Sequence, residues 1–331
     1  MSINNDDNQD GNNKPVFIQA LWLFVPTNYL ANRLWPKGDV MKHVDDYHNG
    51  SKVQERIEQF YGSGGKGIDL KFNEAHVLYG LIALWNMSDN ILKDGGGSHF
   101  IKFSERELHR AMRFDGQPTG RNRDRIRENL CGLATKQFPI LWGTARKTNG
   151  GRRIYASEFN TVIKIHGVSD PPGADGDSHS IKEKITHLKK NVDFHNLEVS
   201  LNYKLFSWGG GYQYVNPNIC MEIKAFKAKK NKKPSHLDIR FYDWLAREQG
   251  YTIKRHFKKV AKTPLLMNPD YINSREPAVR DKVTELYDFF VEMGYLEGYE
   301  LDNGDGPVPL DILKKNRSKF RPRRSINNNK N

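Results

Sequence analysis

The chain has 331 residues, 37% of them hydrophobic, with 52 lysines and arginines against 39 aspartates and glutamates and a formal net charge of +13. This length predicts two domains, and the excess of positive charge favours an anionic partner, with nucleic acid first. With only two cysteines, Cys131 and Cys220, and no apolar run of roughly 20 residues, the sequence excludes a disulfide framework, a cysteine-based zinc site and a membrane-spanning helix.

The N-terminal segment combines a polar tail with an apolar run. Residues 1–16 are rich in Asn, Asp, Gln and Gly, and we predict that they are disordered. Their acidic character is unlike a signal peptide, so we expect a cytoplasmic protein. The next stretch, FIQALWLFVP at Phe17–Pro26, is consistent with a first strand that packs on the core. It is equally consistent with an extended peptide that a partner protein binds, and both interpretations stay open.

Residues 68–111 predict a strand, a helix, a strand and a second helix. A short strand at Ile68–Phe72 precedes an amphipathic helix that Asn73 can cap. The stretch FIKF predicts another strand that ends at Phe103. Ser104 followed by Glu107 is a capping-box pattern, which places the start of the second helix directly after this strand.

A third helix, predicted from Arg121 to Lys136, precedes a hairpin. Its apolar stripe consists of Ile126, Leu130 and Leu133. FPILWG, an Asn-Gly turn and RRIYASEF predict two antiparallel strands, and TVIKIHGV predicts another strand. Helix, strand, helix, turn, helix and hairpin is the order of a winged helix-turn-helix domain.

Residues 169–180 are a turn-rich break that fits either a long loop within the first domain or a hinge, and the same order of elements recurs from Ser235 onwards in the second half. IKEKITHLKKNVDF predicts a helix and LEVSLNYKLF a strand. Ser235 can then cap a helix that ends at Gly250, Thr252 can cap another, and Pro277 suits the first turn of a third. GYLEGYELDNGDG predicts a final strand. The sequence therefore predicts an α+β protein with tandem winged helix-turn-helix domains.

Composition and predicted elements together set the domain boundaries. The C-terminal residues are basic and Asn-rich, which is typical of a disordered tail. The predicted parts are a tail at 1–16, a first winged-helix domain at 17–230 with an N-terminal extension and the 169–180 loop, a second winged-helix domain at 231–312 and a basic disordered tail at 313–331.

The third helix of the first domain is the predicted DNA-reading element, because the N-terminal half of this helix meets the base edges in a helix-turn-helix. Arg121 and Arg125 point away from the apolar stripe, and arginine can pair with guanine. Solvated Arg121–Asp124 and Arg125–Glu128 pairs are the alternative. The basic hairpin adds phosphate contacts. The predicted DNA-binding residues here are Arg121, Asn122, Arg123, Arg125, Arg127, Arg146, Lys147, Arg152 and Arg153.

The corresponding helix of the second domain exposes Asp281, Glu285 and Asp288, which phosphates would repel. Positive charge lies instead before this helix and at its start. Contact with DNA through the backbone and binding of a protein by the acidic face both remain open. The predicted DNA-binding residues of this domain are Lys254, Arg255, Lys258, Lys259, Arg275 and Arg280.

The sequence contains no clear catalytic signature. GSGGKG at 62–67 lacks the first glycine of a nucleotide-binding P-loop and has Gly67 where Ser or Thr should bind Mg²⁺. No two histidines stand at the His-x-His spacing of rolling-circle nickases, and no His/Cys cluster has zinc spacing. We therefore expect a protein that is not an enzyme and that binds no cofactor or metal.

Several stretches, in order, resemble plasmid replication initiators built from two winged helices, most closely the TrfA type. They are VPTNYLANRLW, GIDLKFNEAHVLYGLIALW, HFIKFSERELHRAM, LEVSLNYKLFSWGGGYQYVN and RDKVTELYDFFVEMGYLEGYELDNGD, which cover most of residues 17–306. The resemblance implies a protein that binds direct repeats (iterons) in double-stranded origin DNA, helps to open the origin and recruits a replicative helicase and a host initiator. It is also compatible with self-association.

Initiators of this type carry a Gln-Leu-rich motif for the host's sliding clamp. QALWLF has a similar order, and the corresponding residues are Gln19, Leu21, Leu23 and Phe24. The alternative function for the whole chain is a winged-helix transcriptional regulator or copy-number repressor, and a nickase or helicase-like enzyme is a third. A repressor should only bind DNA, whereas an initiator should also open an origin and recruit partners.

Overall fold

Helices and strands mix along the whole chain, and the protein is α+β in this computed structural model. The structure describes residues 70–87, 100–135, 161–168, 181–202, 215–262, 265–302 and 310–320, apart from single turn positions (115, 117, 118, 249, 266 and 268). It describes only the strand backbones at 23–26, 44–45, 138–147, 153–160 and 212–214. The predicted tail at 1–16, residues 321–331 of the predicted C-terminal tail, the 62–67 stretch and the 169–180 loop lie outside these residues.

Nine helices and eleven strands lie within the described residues. The helices are α1 (Phe72–Met87), α2 (Glu105–Ala111), α3 (Gly120–Thr135), α4 (Ile181–Asn191), α5 (Ile219–Lys229), α6 (His236–Arg247), α7 (Phe257–Lys262), α8 (Pro269–Ser274) and α9 (Glu276–Glu292). The strands are β1 (Leu23–Pro26), β2 (Val44–Asp45), β3 (Phe100–Phe103), β4 (Phe138–Lys147), β5 (Arg153–Asn160), β6 (Ile163–Ile165), β7 (Leu197–Leu201), β8 (Tyr212–Val215), β9 (Thr252–Arg255), β10 (Leu296–Glu300) and β11 (Asp311–Lys315).

Helix α1 is buried on nearly all sides, although its sequence predicts an amphipathic helix. Its residues from Glu74 to Trp85 are all buried, because α2, α3 and α6 surround it. The predicted cap at Asn73 and the strand at Ile68–Phe72 are wrong, since the helix begins at Phe72. The Glu74 carboxylate instead accepts a 2.9 Å hydrogen bond from the backbone N–H of Lys71, which caps the first turn.

Helix α2 confirms the predicted capping box. The Glu107 carboxylate accepts a 2.7 Å hydrogen bond from the Ser104 backbone N–H, and Ser104 Oγ accepts one from the Glu107 N–H. This cap fixes the turn between β3 and α2. Helix α3 is confirmed as well, and Ile126, Leu130 and Leu133 are buried as predicted.

Two three-stranded antiparallel sheets share one strand order. In the first, β7 lies between β3 and β6. In the second, β11 lies between β9 and β10. In each case a helix precedes the first strand of the sheet in the chain, and two or three further helices lie between the first and second strands. The last strand in the chain lies in the middle of the sheet. The same chain order therefore recurs in residues 72–201 and 236–315.

The predicted hairpin of β4 and β5 is confirmed as an antiparallel pair. It does not extend the sheet of β3, β7 and β6. Its partner is instead β2, which runs parallel to β5. The hairpin is thus an addition between α3 and β6, whereas the sequence suggests the final strands of a winged helix.

Two predictions for the second half are wrong. Thr252 does not cap a helix, because residues 252–255 form β9, in which Ile253 is buried and its neighbours are not. Pairing with β11 satisfies the backbone N–H and C=O groups of this short segment, whose side chains alternate between buried and exposed. The predicted tail from residue 313 begins inside β11, and a 3-10 helix at Arg317–Lys319 follows, with Phe320 buried.

Other elements of the second half follow the sequence closely. Ser235 precedes α6, where its backbone N–H donates to the Asp238 carboxylate at 2.7 Å, although the helix ends at Arg247 rather than Gly250. Pro277 lies in the first turn of α9. No helix among the described residues is long and apolar enough to cross a membrane.

Candidate nucleic-acid interface

The N-terminal half of α3 presents arginines to solvent. Arg121, Arg123 and Arg125 are exposed, whereas Ile126 is 3% exposed and anchors the opposite face. The alternative pairs with Asp124 and Glu128 do not form: within the described chain neither Arg121 nor Arg125 has an ion-pair partner. The two guanidinium groups are therefore available to an external acceptor.

Arg127 has a different environment from its neighbours. Its Nε and Nη2 donate to the Glu105 carboxylate at 3.0 and 2.8 Å, in a two-point contact. Its guanidinium lies 4.6 Å from the ring centroid of Phe194. The hydrogen bond to Glu105 raises the pKa of Arg127 above its usual value. This geometry makes Arg127 a positioning residue that fixes α3 against the start of α2.

The basic residues of the hairpin lie beside its connecting turn. Arg146 pairs in register with Ile154, and Lys147 with Arg153, at the end of the two strands. Arg152 lies outside the described residues, as do the side chains of the other three. The backbone register alone brings Arg146, Lys147 and Arg153 to one end of the hairpin.

The basic residues of the second half divide into two sets. Lys254, Lys259 and Arg275 are exposed and have no ion pair within the described chain. The others contact groups of the same chain: Arg255 pairs with Glu248 at 3.0 Å, Lys258 pairs with Glu276 at 2.5 Å, and Arg280 donates to the Asp302 carbonyl at 2.9 Å. Only the first set offers free charge.

The acidic face of α9 is partly engaged by the chain itself. Lys232, in the segment between α5 and α6, pairs with Glu285 at 2.9 Å, and Lys230 pairs with Glu292. Tyr299 donates a hydrogen bond to Asp288 at 2.5 Å. These contacts give most of the acidic side chains internal partners, whereas Asp281 is exposed.

A polar network connects the end of β8 and helix α5 with the second half, and no motif of the sequence indicates it. Asn216 follows β8, and its amide donates to Glu222 Oε1 at 2.8 Å and to the Tyr295 hydroxyl at 2.6 Å. Tyr295 donates to Glu222 Oε2 at 2.7 Å, and the Asn216 N–H donates to the Tyr242 hydroxyl at 2.7 Å. The end of β8, helix α5 and the second half are thereby held together.

Helix α5 also contacts the first half. Lys224 Nζ lies 2.7 Å from His76 Nδ1, and His76 Nε2 lies 2.8 Å from the Met112 carbonyl. Since a carbonyl can only accept, Nε2 carries the proton and Nδ1 accepts from Lys224. Lys224 thus links α5 to α1 and to the end of α2.

The apolar N-terminal run is a strand over its second part. Leu23 pairs in register with Val215 and Phe24 with Tyr214, in the antiparallel pair of β1 and β8. Gln19 and Leu21 lie outside the described residues. The backbone pairing favours the strand interpretation for Leu23–Pro26.

No family model, no curated protein and no solved structure matches this chain. Among the residues that the structure describes, no group of three His, Cys, Asp or Glu side chains could hold a metal ion. Both cysteines are buried as free thiols, and burial raises the pKa of Cys131 and of Cys220 to about 12. Neither thiol is suited to act as a nucleophile near neutral pH.

Proposed function

We propose that this protein is a sequence-specific, double-stranded-DNA-binding initiator of plasmid replication built from two winged-helix units. The observation that carries the proposal is the N-terminal half of α3, where Arg121 and Arg125 are exposed and have no internal ion pair. In a winged helix this half of the third helix enters the major groove, and arginine pairs with guanine there.

The repeated chain order supports two DNA-binding units. Residues 236–315 run helix α6, strand β9, helices α7 to α9, then β10 and β11, with β11 in the middle of the sheet. Helices α2 and α3 with the sheet of β3, β7 and β6 give the first unit the same order. Two units in tandem fit a target made of repeated sequence, as the resemblance to TrfA-type initiators implies.

Titration of fluorescent repeat DNA tests the DNA-binding part of the proposal. Arg121→Ala and Arg125→Ala should each weaken specific binding by about 1–3 kcal/mol and leave binding to random DNA nearly unchanged. Lys314→Ala, which removes an exposed charge on β11 that pairs with Glu300, is the matched control and should change neither. Equal losses on both DNAs would mean that the arginines touch only phosphates.

A second assay separates an initiator from a repressor, the alternative with the same DNA-binding units. Permanganate footprinting of a plasmid origin should detect unpaired thymines in its A·T-rich tract only when the protein is bound to adjacent repeats. Binding to the repeats without any strand opening, even with host initiator present, would favour the repressor.

A further inference from the structure

The connection between β6 and β7 differs from its counterpart in the second unit. In the second unit, residues 301–310 join β10 to β11. In the first unit, residues 166–196 make the corresponding connection and contain helix α4. In a winged helix this connection is the wing. Helix α4 therefore stands at the wing position of the first unit.

Helix α4 packs along α3. The charge of Lys189 acts on the Cys131 thiol, which places the end of α4 beside the second half of α3. Farther along the chain, Phe194 lies under the guanidinium of Arg127, and its carbonyl accepts a 2.9 Å hydrogen bond from the Glu105 N–H. The segment 189–194 thus runs antiparallel to α3, from Cys131 to Arg127 in the middle of that helix and on to the start of α2.

The two faces of α4 have different compositions. Ile185 and Leu188 pack against the core, whereas Lys182, Thr186 and Lys190 form an exposed stripe at four-residue spacing. Lys184 and Lys189 are partly exposed, and the helix has four lysines but only one acidic residue, Glu183. None of these lysines has an ion-pair partner among the described residues.

We propose that α4 is a second DNA-binding element, which replaces a β-wing and lays its lysine stripe along the phosphate backbone beside the groove that α3 enters. This inference rests on the proposed function. Lys182 and Lys190 are about 12 Å apart along the helix axis. Phosphates along one strand are spaced by about 3.4 Å of duplex axis, so a single backbone segment reaches both lysines.

The position of α4 favours DNA over an acidic protein. The stripe belongs to the helix that packs on α3, whose exposed arginines are the proposed base-reading groups. Arg106 is exposed in the first turn of α2, where residues 193–196 meet α2, beside the exposed acidic residues Glu107 and Asp193. The contact carries no sequence information, because it is made to phosphates.

The test is the salt dependence of DNA binding by the full chain, measured by fluorescence anisotropy on repeat DNA and on random DNA. Lys182→Ala with Lys190→Ala should reduce the slope of log affinity against log salt by about 0.9 for each lost phosphate contact, on both DNAs. The ratio of specific to random affinity should not change. Lys229→Ala with Lys233→Ala removes the same charge from exposed sites on and after α5 and should leave the slope unchanged.

Lys182→Arg with Lys190→Arg should restore the wild-type slope, which separates a phosphate contact from a defect in folding. An unchanged slope in the alanine variant, or an equal loss in the control variant, would overturn the role of α4. In either case the wild-type protein still binds repeat DNA, and the proposed function stands. Failure of the wild-type protein to bind any DNA would instead defeat the proposed function itself.

Discussion

His76 is a titratable side chain in an unfavourable place for charge. It is 2% exposed, and burial together with the charge of Lys224 lowers its pKa from 6.5 to about 3, with a smaller contribution from His109 in the same direction. Burial also lowers the pKa of Lys224 to about 8, which Cys220 opposes and Arg125 reinforces. Near neutral pH, His76 is therefore neutral, and the pair of His76 and Lys224 carries at most one positive charge.

The pKa of His76 predicts how stability depends on pH. Between about pH 6.5 and 3 the unfolded chain binds a proton at this residue that the folded chain does not bind, so the free energy of unfolding falls as the pH falls. His76 contributes at most about 1.4 kcal/mol per pH unit to the change in the free energy of unfolding. His76→Gln should flatten the slope, because an amide can still donate to the Met112 carbonyl and does not titrate.

Urea unfolding at pH 6.5, 5.5 and 4.5 measures this effect. His195→Gln, on an exposed turn, is the matched control and should retain the wild-type slope. The prediction fails if His76→Gln and the wild type lose stability equally as the pH falls.

The expected sign for Lys224 is the same: stability should rise with pH between about 8 and 10.5, where only the unfolded chain keeps the proton.

At the scale of elements, sequence patterns predicted the helices with a one-sided apolar stripe and a clear start. Helix α3 follows this rule, since its stripe of Ile126, Leu130 and Leu133 is buried as predicted. At Thr252–Arg255 the sequence predicts the start of a helix, whereas the structure has a strand. The pattern does not separate the two, because a four-residue strand and the first turn of a helix both accept a Thr at the start. Only pairing with β11, which is distant in sequence, decides between them.

The positions of the basic residues depend even more on tertiary structure. The sequence predicts DNA contacts for both Arg125 and Arg127, yet Arg127 is bound to Glu105 and Arg125 is not. The partner of Arg127 is on another helix, so spacing within α3 cannot reveal it. The role proposed for α4 has a signal in its lysine spacing, but its place beside α3 emerges only from the fold.

The hairpin of β4 and β5 carries a prediction of its own, because it belongs to a separate sheet with β2. If its tip lies on DNA, alanine at Arg146, Lys147, Arg152 and Arg153 should lower affinity on every sequence. The salt slope should fall by roughly 0.9 per lost phosphate contact, without any change in the ratio of specific to random affinity. A slope equal to that of the wild type would remove the hairpin from the interface and leave α4 as the basic element beside α3.

At the scale of the whole molecule, helix α5 contacts both units within the described residues. Towards the second unit it has the hydrogen bonds of Glu222 with Tyr295 and an ion pair of Lys227 with Asp238 at 3.2 Å. Towards the first unit, the contacts among the described residues include Lys224 Nζ with His76 Nδ1 and Lys224 Nζ at 4.9 Å from the ring centroid of Phe114. Since a satisfied polar network favours one arrangement of its members, these contacts hold α5 against the second unit.

The pair of β1 and β8 lies at the same junction. Strand β1 contacts α1 of the first unit, while β8 contacts α6 of the second and leads directly into Asn216. A strand formed by Leu23–Pro26 therefore contributes to the joint between the units. This gives the apolar N-terminal run a structural reason that does not depend on a partner protein.

The last prediction decides between a strand and a clamp-binding peptide in QALWLF. If the strand interpretation is right, Leu23→Ala with Phe24→Ala should lower the free energy of unfolding, by on the order of 2–5 kcal/mol for each side chain that is buried. Repeat binding should fall with it. Gln19→Ala with Leu21→Ala changes the same motif without altering Leu23–Pro26, so the thermal melt should not change if only Leu23–Pro26 supports the fold. If the motif binds the sliding clamp, this second variant should lose pull-down of purified clamp. An unchanged melt for the first variant would contradict the strand, and retained clamp binding in both would contradict the peptide.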